Sequence, residues 1–257
     1  MNVQGKVAVV TGAAGGLGSA TARVLHAAGA KLAIVDYNEE GARAIAAELG
    51  GDTRAYKVDI TDSDNAHDVI NQIATDFGTI HIICNIAGGA TGGGKLVGRK
   101  GVHDEKVFAD TLALNAVGTF NMMAYAAEVM SRNEPLTESG ERGVIINTAS
   151  VAGVEGQMGQ IAYSAGKAAI IGMTITAARD LSSIGIRVNT IVPGIIGTDM
   201  MLSASESVKD HLLKAVEFPK RFGKPEEVGK LALFLVDNEY INGECIRLDG
   251  GLRMPAR

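Results

Sequence analysis

Short runs of β-branched and aliphatic residues alternate with Ala-rich stretches of helical period along most of the chain. Lys6 to Thr11 is followed by Leu17 to Ala28, Lys31 to Asp36 by Glu39 to Leu49, and Thr53 to Val58 by Asp64 to Phe77. The rhythm continues with strands at Ile80 to Cys84, Gly143 to Thr148, Ile186 to Val192 and Glu244 to Leu248, and with long helices at about Glu105 to Arg132 and Ile161 to Ser182. Alternation of this kind reads as repeated βαβ units. The seven strands are near-continuous apolar runs, the pattern of a parallel sheet covered by helices on both faces. The predicted architecture is therefore α/β, a doubly wound parallel sheet in a three-layer sandwich. Two segments break the rhythm, 89–103 and 193–222. In such sheets the loops beyond the carboxyl ends of the strands hold the ligand, so both are candidate site walls.

Length and composition narrow this reading. At 257 residues without a Pro-rich linker, the chain is expected to be a single domain spanning 1–257. Charged residues make up 21% and the net charge is −5, with no Lys/Arg block to track phosphates, so nucleic acid is not expected as a partner. Cys84 and Cys245 sit in apolar runs and form no CxxC, and the five His are scattered, so neither a disulfide framework nor a metal site is expected. No uninterrupted apolar run reaches the ~18 residues of a membrane span, and MNVQGKVAVVTG enters a strand without a signal pattern; a cytoplasmic protein with no membrane partner is expected. Glycine, at 33 residues, is about twice its usual share, so many backbone positions must turn sharply or approach something closely.

Those glycines concentrate where a dinucleotide would bind. TGAAGGLG, Thr11 to Gly18, follows the first strand and opens a helix, so backbone N–H groups and the helix dipole can meet a pyrophosphate. Gly12 would make the turn, Gly16 would admit the phosphates, and Gly18 would let the helix pack closely. Asp36 ends the second strand, where its carboxylate can accept from the adenosine ribose hydroxyls and repel a 2′-phosphate. No Lys or Arg stands at Ala13, Ala14 or Tyr37, so NAD is expected rather than NADP; the alternative for Asp36 is a helix N-cap. Asp59 ends the third strand and can contact adenine or cap the helix starting near Asp62. Asn85, Ile86, Ala87 and Gly88 follow the fourth strand and face the same crevice.

The second half of the chain carries acid–base chemistry. Ser150 ends the fifth strand, Tyr163 lies 13 residues on, and Lys167 is one helical turn beyond it. A Tyr-x-x-x-Lys alone is expected by chance about once in four chains of this composition; a Ser at that upstream position reduces the chance to about one per cent. Tyr163 would be the general base, its phenolate favoured by the Lys167 ammonium and a nicotinamide cation, while Ser150 would hold the substrate oxygen. Lys167 would also hold the nicotinamide ribose. Asn115 is an amide in an apolar stretch, either a core amide bonded to backbone or a water-binding link in a proton relay.

Together TGAAGGLG, Asp36, NIAG, Asn115, Ser150, YSAGK and PGIIGT resemble the short-chain dehydrogenase/reductase family over essentially the whole chain. The resemblance implies a Rossmann-type fold, catalytic roles for Asn115, Ser150, Tyr163 and Lys167, and a homotetramer. It also implies cofactor contacts at Gly15, Leu17, Asp36, Asp59, Ile60, Ile86, Tyr163, Lys167, Ile196 and Thr198, with Pro193 opening the PGIIGT segment. Ile86 stands where the family commonly has a second Asn, and Gly166 replaces the usual Ser before Lys167. A helical Gly costs about 1 kcal/mol relative to Ala, so a close neighbour is expected at Gly166. A narrower likeness, in EGQMGQIAYSAGK, FPKRFGKPEEV and NGECIRLDGGLRMP, is to the branch of the family acting on 3-hydroxyacyl-CoA. It implies interconversion of a secondary alcohol and a ketone on an acyl-CoA; a hydroxysteroid or other small alcohol, or a catalytically silent NAD-binding scaffold, are the alternatives. Lys95, Arg99 and Lys100 on the first interrupting segment could hold a CoA phosphate or simply be solvated, and Ile195, Ile196, Met200, Met201 and Leu202 could form an apolar wall for an acyl chain.

Overall fold

The computed structural model describes residues 1–99 and 101–256; Lys100 lies outside the described residues, as does the side chain of Met200. Seven parallel strands form one sheet: β1 (Val7–Thr11), β2 (Lys31–Asp36), β3 (Thr53–Lys57), β4 (Ile82–Asn85), β7 (Gly143–Thr148), β8 (Ile186–Pro193) and β9 (Cys245–Leu248), in the order β3-β2-β1-β4-β7-β8-β9. The Rossmann-type three-layer sandwich expected from the chain pattern is the observed fold.

Adjacent strand residues feed opposite cores, which is why the strands read as continuous apolar runs. Ala8, Val10, Ile82, Cys84, Val144 and Ile146 pack toward α1 (Gly16–Ala27), α2 (Glu39–Leu49) and α9 (Pro225–Asp237). Val9, Ile83 and Ile145 point the other way, toward α3 (Ser63–Phe77), α5 (Gly118–Met130) and α6 (Ile161–Ser182). A third cluster, around Ala149, Val151, Ile170, Val192 and Leu252, sits under the carboxyl ends of β7 and β8 and supports the site.

Three departures from the chain pattern bear on function. The first interrupting segment holds a short antiparallel hairpin, β5 (Val97–Gly98) with β6 (Gly101–Val102). The second carries α7 (Asp199–Leu202) and α8 (Glu206–Lys214). The helix expected over Glu105 to Arg132 begins as α4 (Glu105–Leu112), opens into one π-helical turn at Ala113–Val117, and continues as α5. That turn is centred on Asn115, and π-turns inside α-helices concentrate at functional sites. By length and mean hydropathy α6 could cross a bilayer, yet its first two turns carry Tyr163 and Lys167 and it packs along β8 and the third cluster, so its composition serves packing.

Candidate active site

The strand order reverses between β1 and β4, and a continuous cleft lies beyond their carboxyl ends. Its cofactor arm, about 630 Å³, is lined by the glycine loop, Asp36, Asp59, Ile60, Ile86 to Gly88 and Thr198. Its catalytic arm, about 410 Å³, shares Leu17, Ile86, Gly88 and Thr198 and adds Ser150, Tyr163, Lys167, Pro193 and Ile196.

The glycine loop has the geometry a pyrophosphate requires. A Cβ on Gly18 would lie 2.2 Å from the carbonyl oxygen of Gly12, so the helix start and the turn can close on each other only without a side chain there. Thr11 accepts from the N–H groups of Ile86 (3.0 Å) and Ala87 (3.1 Å), fastening the end of β1 to that of β4. No sequence signal singled out Thr11 for this. The Asp36 carboxylate accepts from Ala14 N (2.9 Å) and Asn38 N (2.9 Å), leaving lone pairs directed at the cleft. The N-cap alternative for Asp36 does not apply, since Asn38 caps α2. Asp59 is likewise not the cap of α3; Asp62 is, and Asp59 accepts from Thr61 at the rim of the cleft. The donor set and the room left by the glycines fit a nicotinamide dinucleotide, which would supply or accept the hydride at the junction of the two arms.

Two of the expected catalytic and cofactor residues, Asn85 and Asn115, line neither arm of the cleft. The Asn85 side chain is buried in the sheet, where its amide donates to Asn147 Oδ1 (2.9 Å), and it lines neither arm of the cleft. The reason is strand alternation: Thr11 and Asn85 are register partners, and the crevice is reached only by the residues after β4.

Asn115 is fully buried, and its amide donates to the carbonyls of Gly89 (2.7 Å) and Thr111 (2.8 Å) and accepts from Gly89 N (3.1 Å). It is a core amide bonded to backbone, and what it holds is the floor of the catalytic arm. A Cβ on Gly88 would meet Asn115 Oδ1 at 2.7 Å and Lys167 Nζ at 3.0 Å, so Gly88 is the gap through which both approach the cleft. The neighbour expected at Gly166 is Asn115 itself, whose Cβ would stand 3.0 Å from an added methyl.

Lys167 is buried and donates to Thr148 O (2.9 Å), with Nζ 5.8 Å from the centre of the Tyr163 ring. Ser150 caps a 3-10 turn at Val151–Gly153 by accepting from Ala152 N (3.1 Å), which fixes its hydroxyl at the strand end. Burial raises the Tyr163 phenol above its ordinary value, and its hydrogen bonding with Ser150 offsets part of that. Desolvation outweighs the Ser150 bond, and the lowering expected from the Lys167 ammonium is not among the causes at work in the protein alone; a cationic nicotinamide ring bound there would favour the phenolate.

Lys167 has a stability consequence with a definite sign. Burial pushes its ammonium from 10.5 down to about 8. Between those values the unfolded chain holds a proton the folded chain lacks, so stability rises with pH through that window. Below about pH 8 the folded state bears the whole penalty, about 3 kcal/mol. Lys167→Met forfeits about 2 kcal/mol for the charge-assisted Thr148 bond, so the cofactor-free variant should be about 1 kcal/mol more stable than the parent at pH 7. Denaturant unfolding checks this: the gain should vanish by pH 10.5, and a variant less stable at pH 7 would contradict it.

Half-buried Ser150 and Tyr163 over a buried Lys167, at the mouth of a dinucleotide cleft, define a nicotinamide-dependent oxidoreductase acting on an alcohol–ketone pair. The chain belongs to the short-chain dehydrogenase/reductase family: residues 12–253 match the family described as enoyl-(acyl carrier protein) reductase. Among its relatives, the human 3-hydroxyacyl-CoA dehydrogenase type-2 is 43% identical over 254 residues, covering 98% of this chain and 97% of that protein. The enzyme of that name from Drosophila melanogaster is 42% identical, covering 98% and 99%. The 3-oxoacyl-[acyl-carrier-protein] reductase of Thermotoga maritima is 35% identical, covering 98% and 99%. A crystal structure of 3-hydroxyacyl-CoA dehydrogenase type-2 from Mycobacterium avium superposes with a TM-score of 0.92 at 43% identity, covering 98% of each chain.

Proposed function

We propose that this enzyme uses NAD(H) and interconverts a 3-hydroxyacyl-CoA and the corresponding 3-oxoacyl-CoA. The observation that carries the cofactor choice is the Asp36 carboxylate at the ribose end of the cleft, with Ala13, Ala14 and Tyr37 beside it in place of a cation. A 2′-phosphate there would meet the like charge of the Asp36 carboxylate. NADH should exceed NADPH in kcat/KM by about a hundredfold or more, the scale of one unpaired charge contact; equal efficiencies would overturn the assignment.

The substrate reading is supported by the walls of the catalytic arm. Ile195, Met201, Leu212 and Met254 make an apolar pocket beside Ser150 and Tyr163, and flexible Met side chains accommodate acyl chains. Lys95 lines a pocket that shares Ala152 and Gln157 with the catalytic arm, and Lys95 and Arg99 of the 89–103 segment are cations suited to a phosphate-bearing tail. The relatives at 43% and 35% identity are named for a 3-hydroxyacyl-CoA and for a 3-oxoacyl group on acyl carrier protein, the reduced and oxidised forms of the same position on an acyl chain. In ketone reduction Tyr163 donates its proton to the substrate oxygen while Ser150 holds that oxygen in place, and in the reverse direction Tyr163 accepts it. Neutralising Lys95, Arg99 and Lys100 together should raise KM for acetoacetyl-CoA severalfold at low salt and less at high salt, where screening already weakens the contact. An unchanged KM at low ionic strength would count against the loop.

A homotetramer and a cytoplasmic location complete the reading. Val117, Phe120, Ile161 and Ile175 are exposed on the helices around Asn115 and Tyr163, apolar surface that symmetry mates would cover. Light scattering should give four chains per particle at micromolar concentration, and a monomer would contradict the assembly.

A further inference from the structure

The catalytic arm has one wall that the acid–base machinery does not explain. After β9 the chain turns at Asp249 to Gly251 and runs back along the segment between Ser150 and α6, placing Met254 in the cleft beside Ser150, Tyr163 and Met201. This return strand has no regular secondary structure, yet it is fastened at several points to one short stretch. Glu155 accepts from Met254 N (2.8 Å) and from Arg247 Nη1 (2.9 Å), and pairs with Arg253 (3.5 Å). Arg247 in turn donates to Asp249 Oδ2 (2.6 Å) and to Leu252 O (2.7 Å). Farther on, Gln157 donates to Pro255 O (3.0 Å) and Met158 N to Ala256 O (3.2 Å).

The charges at this clamp are half-buried: Glu155 and Arg247 keep 23% and 25% of their side chains exposed. A partly desolvated, bidentate Arg–carboxylate pair that also holds a backbone N–H fixes geometry more than a mobile surface pair does. The stretch it grips is also the one that starts with Ser150, since Glu155 N donates to Val151 O inside the turn capped by Ser150. The clamp therefore sets the distance between the substrate-positioning hydroxyl and the Met254 side chain.

We propose that Met254 is a specificity-determining residue that meets the substrate's chain beyond the reacting carbonyl, and that Glu155 and Arg247 are positioning residues that hold it there. The proposal deepens the 3-oxoacyl-CoA reading and rests on it for the identity of that chain. Met254→Ala opens the pocket at one place: a short substrate loses a contact, while a longer one gains room. One methylene's worth of fit in an apolar pocket is about tenfold in discrimination.

The test is steady-state reduction of a homologous series of 3-oxoacyl-CoA esters of increasing chain length, with NADH binding followed by the nucleotide's own fluorescence as a check of folding. Met254→Ala should shift the ratio of kcat/KM for long over short chains about fivefold or more toward long chains, with the change falling on KM more than on kcat. Glu155→Gln should shift it in the same direction, and the double variant should shift no further than the larger single one, because both act on the same contact. A chain-length profile unchanged within twofold in Met254→Ala overturns the specificity role. Additive shifts in the double variant overturn the positioning role. Should the wild type reduce no acyl-CoA ester but turn over other ketones, the substrate reading fails separately, and a series of simple alkyl ketones gives the same decision on Met254.

Discussion

Tyr163→Phe should lower kcat for ketone reduction about a thousandfold, within the range expected for loss of a positioned acid–base group, while the Kd for NADH stays within about twofold. The substitution removes one oxygen from a side chain whose ring lies beside Lys167 and the catalytic arm, and leaves the packing volume unchanged. Retained volume keeps the cofactor arm intact, and the lost oxygen is the group beside Ser150 that exchanges a proton with the substrate oxygen in the proposed reaction. Rapid-mixing turnover and nucleotide fluorescence separate the two effects. Retention of more than about a tenth of the parent kcat would remove Tyr163 from the proton-transfer step.

Gly18→Ala should be as damaging by a different route. The added methyl would stand 2.2 Å from Gly12 O and 2.6 Å from Gly12 C, backbone atoms of a turn that is itself pressed against Ala87. No flexible side chain can yield, so the helix start must move away from the turn. Overpacking of that kind costs about 1–3 kcal/mol in stability, and displaced N–H groups lose the phosphates they were aimed at. The expected result is a Kd for NADH raised about a hundredfold together with a lower Tm, measured by nucleotide titration and thermal unfolding. A variant with parental NADH affinity would show that the glycine loop does not carry the dinucleotide.

The strands and their partner helices were legible because each strand feeds two cores and each helix buries one stripe, so burial writes itself into the residue pattern. The edge strand β3 shows the limit: only Tyr56 of its five residues is buried, and the pattern there is correspondingly faint. Helix α9 is missing from the expected elements, although Pro225 in its first turn and Glu227, which accepts from Lys224 N (2.7 Å), are helix-start signals. The π-turn at Asn115 left no periodic mark, since one extra residue in a turn changes phase by too little to see over a single helix. Most of the expected site residues converge on the cleft because motifs at strand ends share one edge of the sheet. Asn85 does not, for the same reason: one residue earlier in the strand is one face away. The tail clamp was illegible because Glu155 and Arg247 lie 92 residues apart, and nothing in the EGQMGQIAYSAGK and NGECIRLDGGLRMP segments that hold them signals that the two pair.

In the proposed reaction Ser150, Tyr163 and Lys167 reduce a 3-oxoacyl thioester with hydride from NADH. The most direct measurement is the initial rate of NADH oxidation with acetoacetyl-CoA, set beside a hydroxysteroid-derived ketone and a small sugar-derived ketone at equal concentration. The predicted result is stoichiometric NADH consumption with acetoacetyl-CoA at a kcat/KM at least about tenfold above either alternative. Turnover of one of the other ketones with none of acetoacetyl-CoA would contradict it.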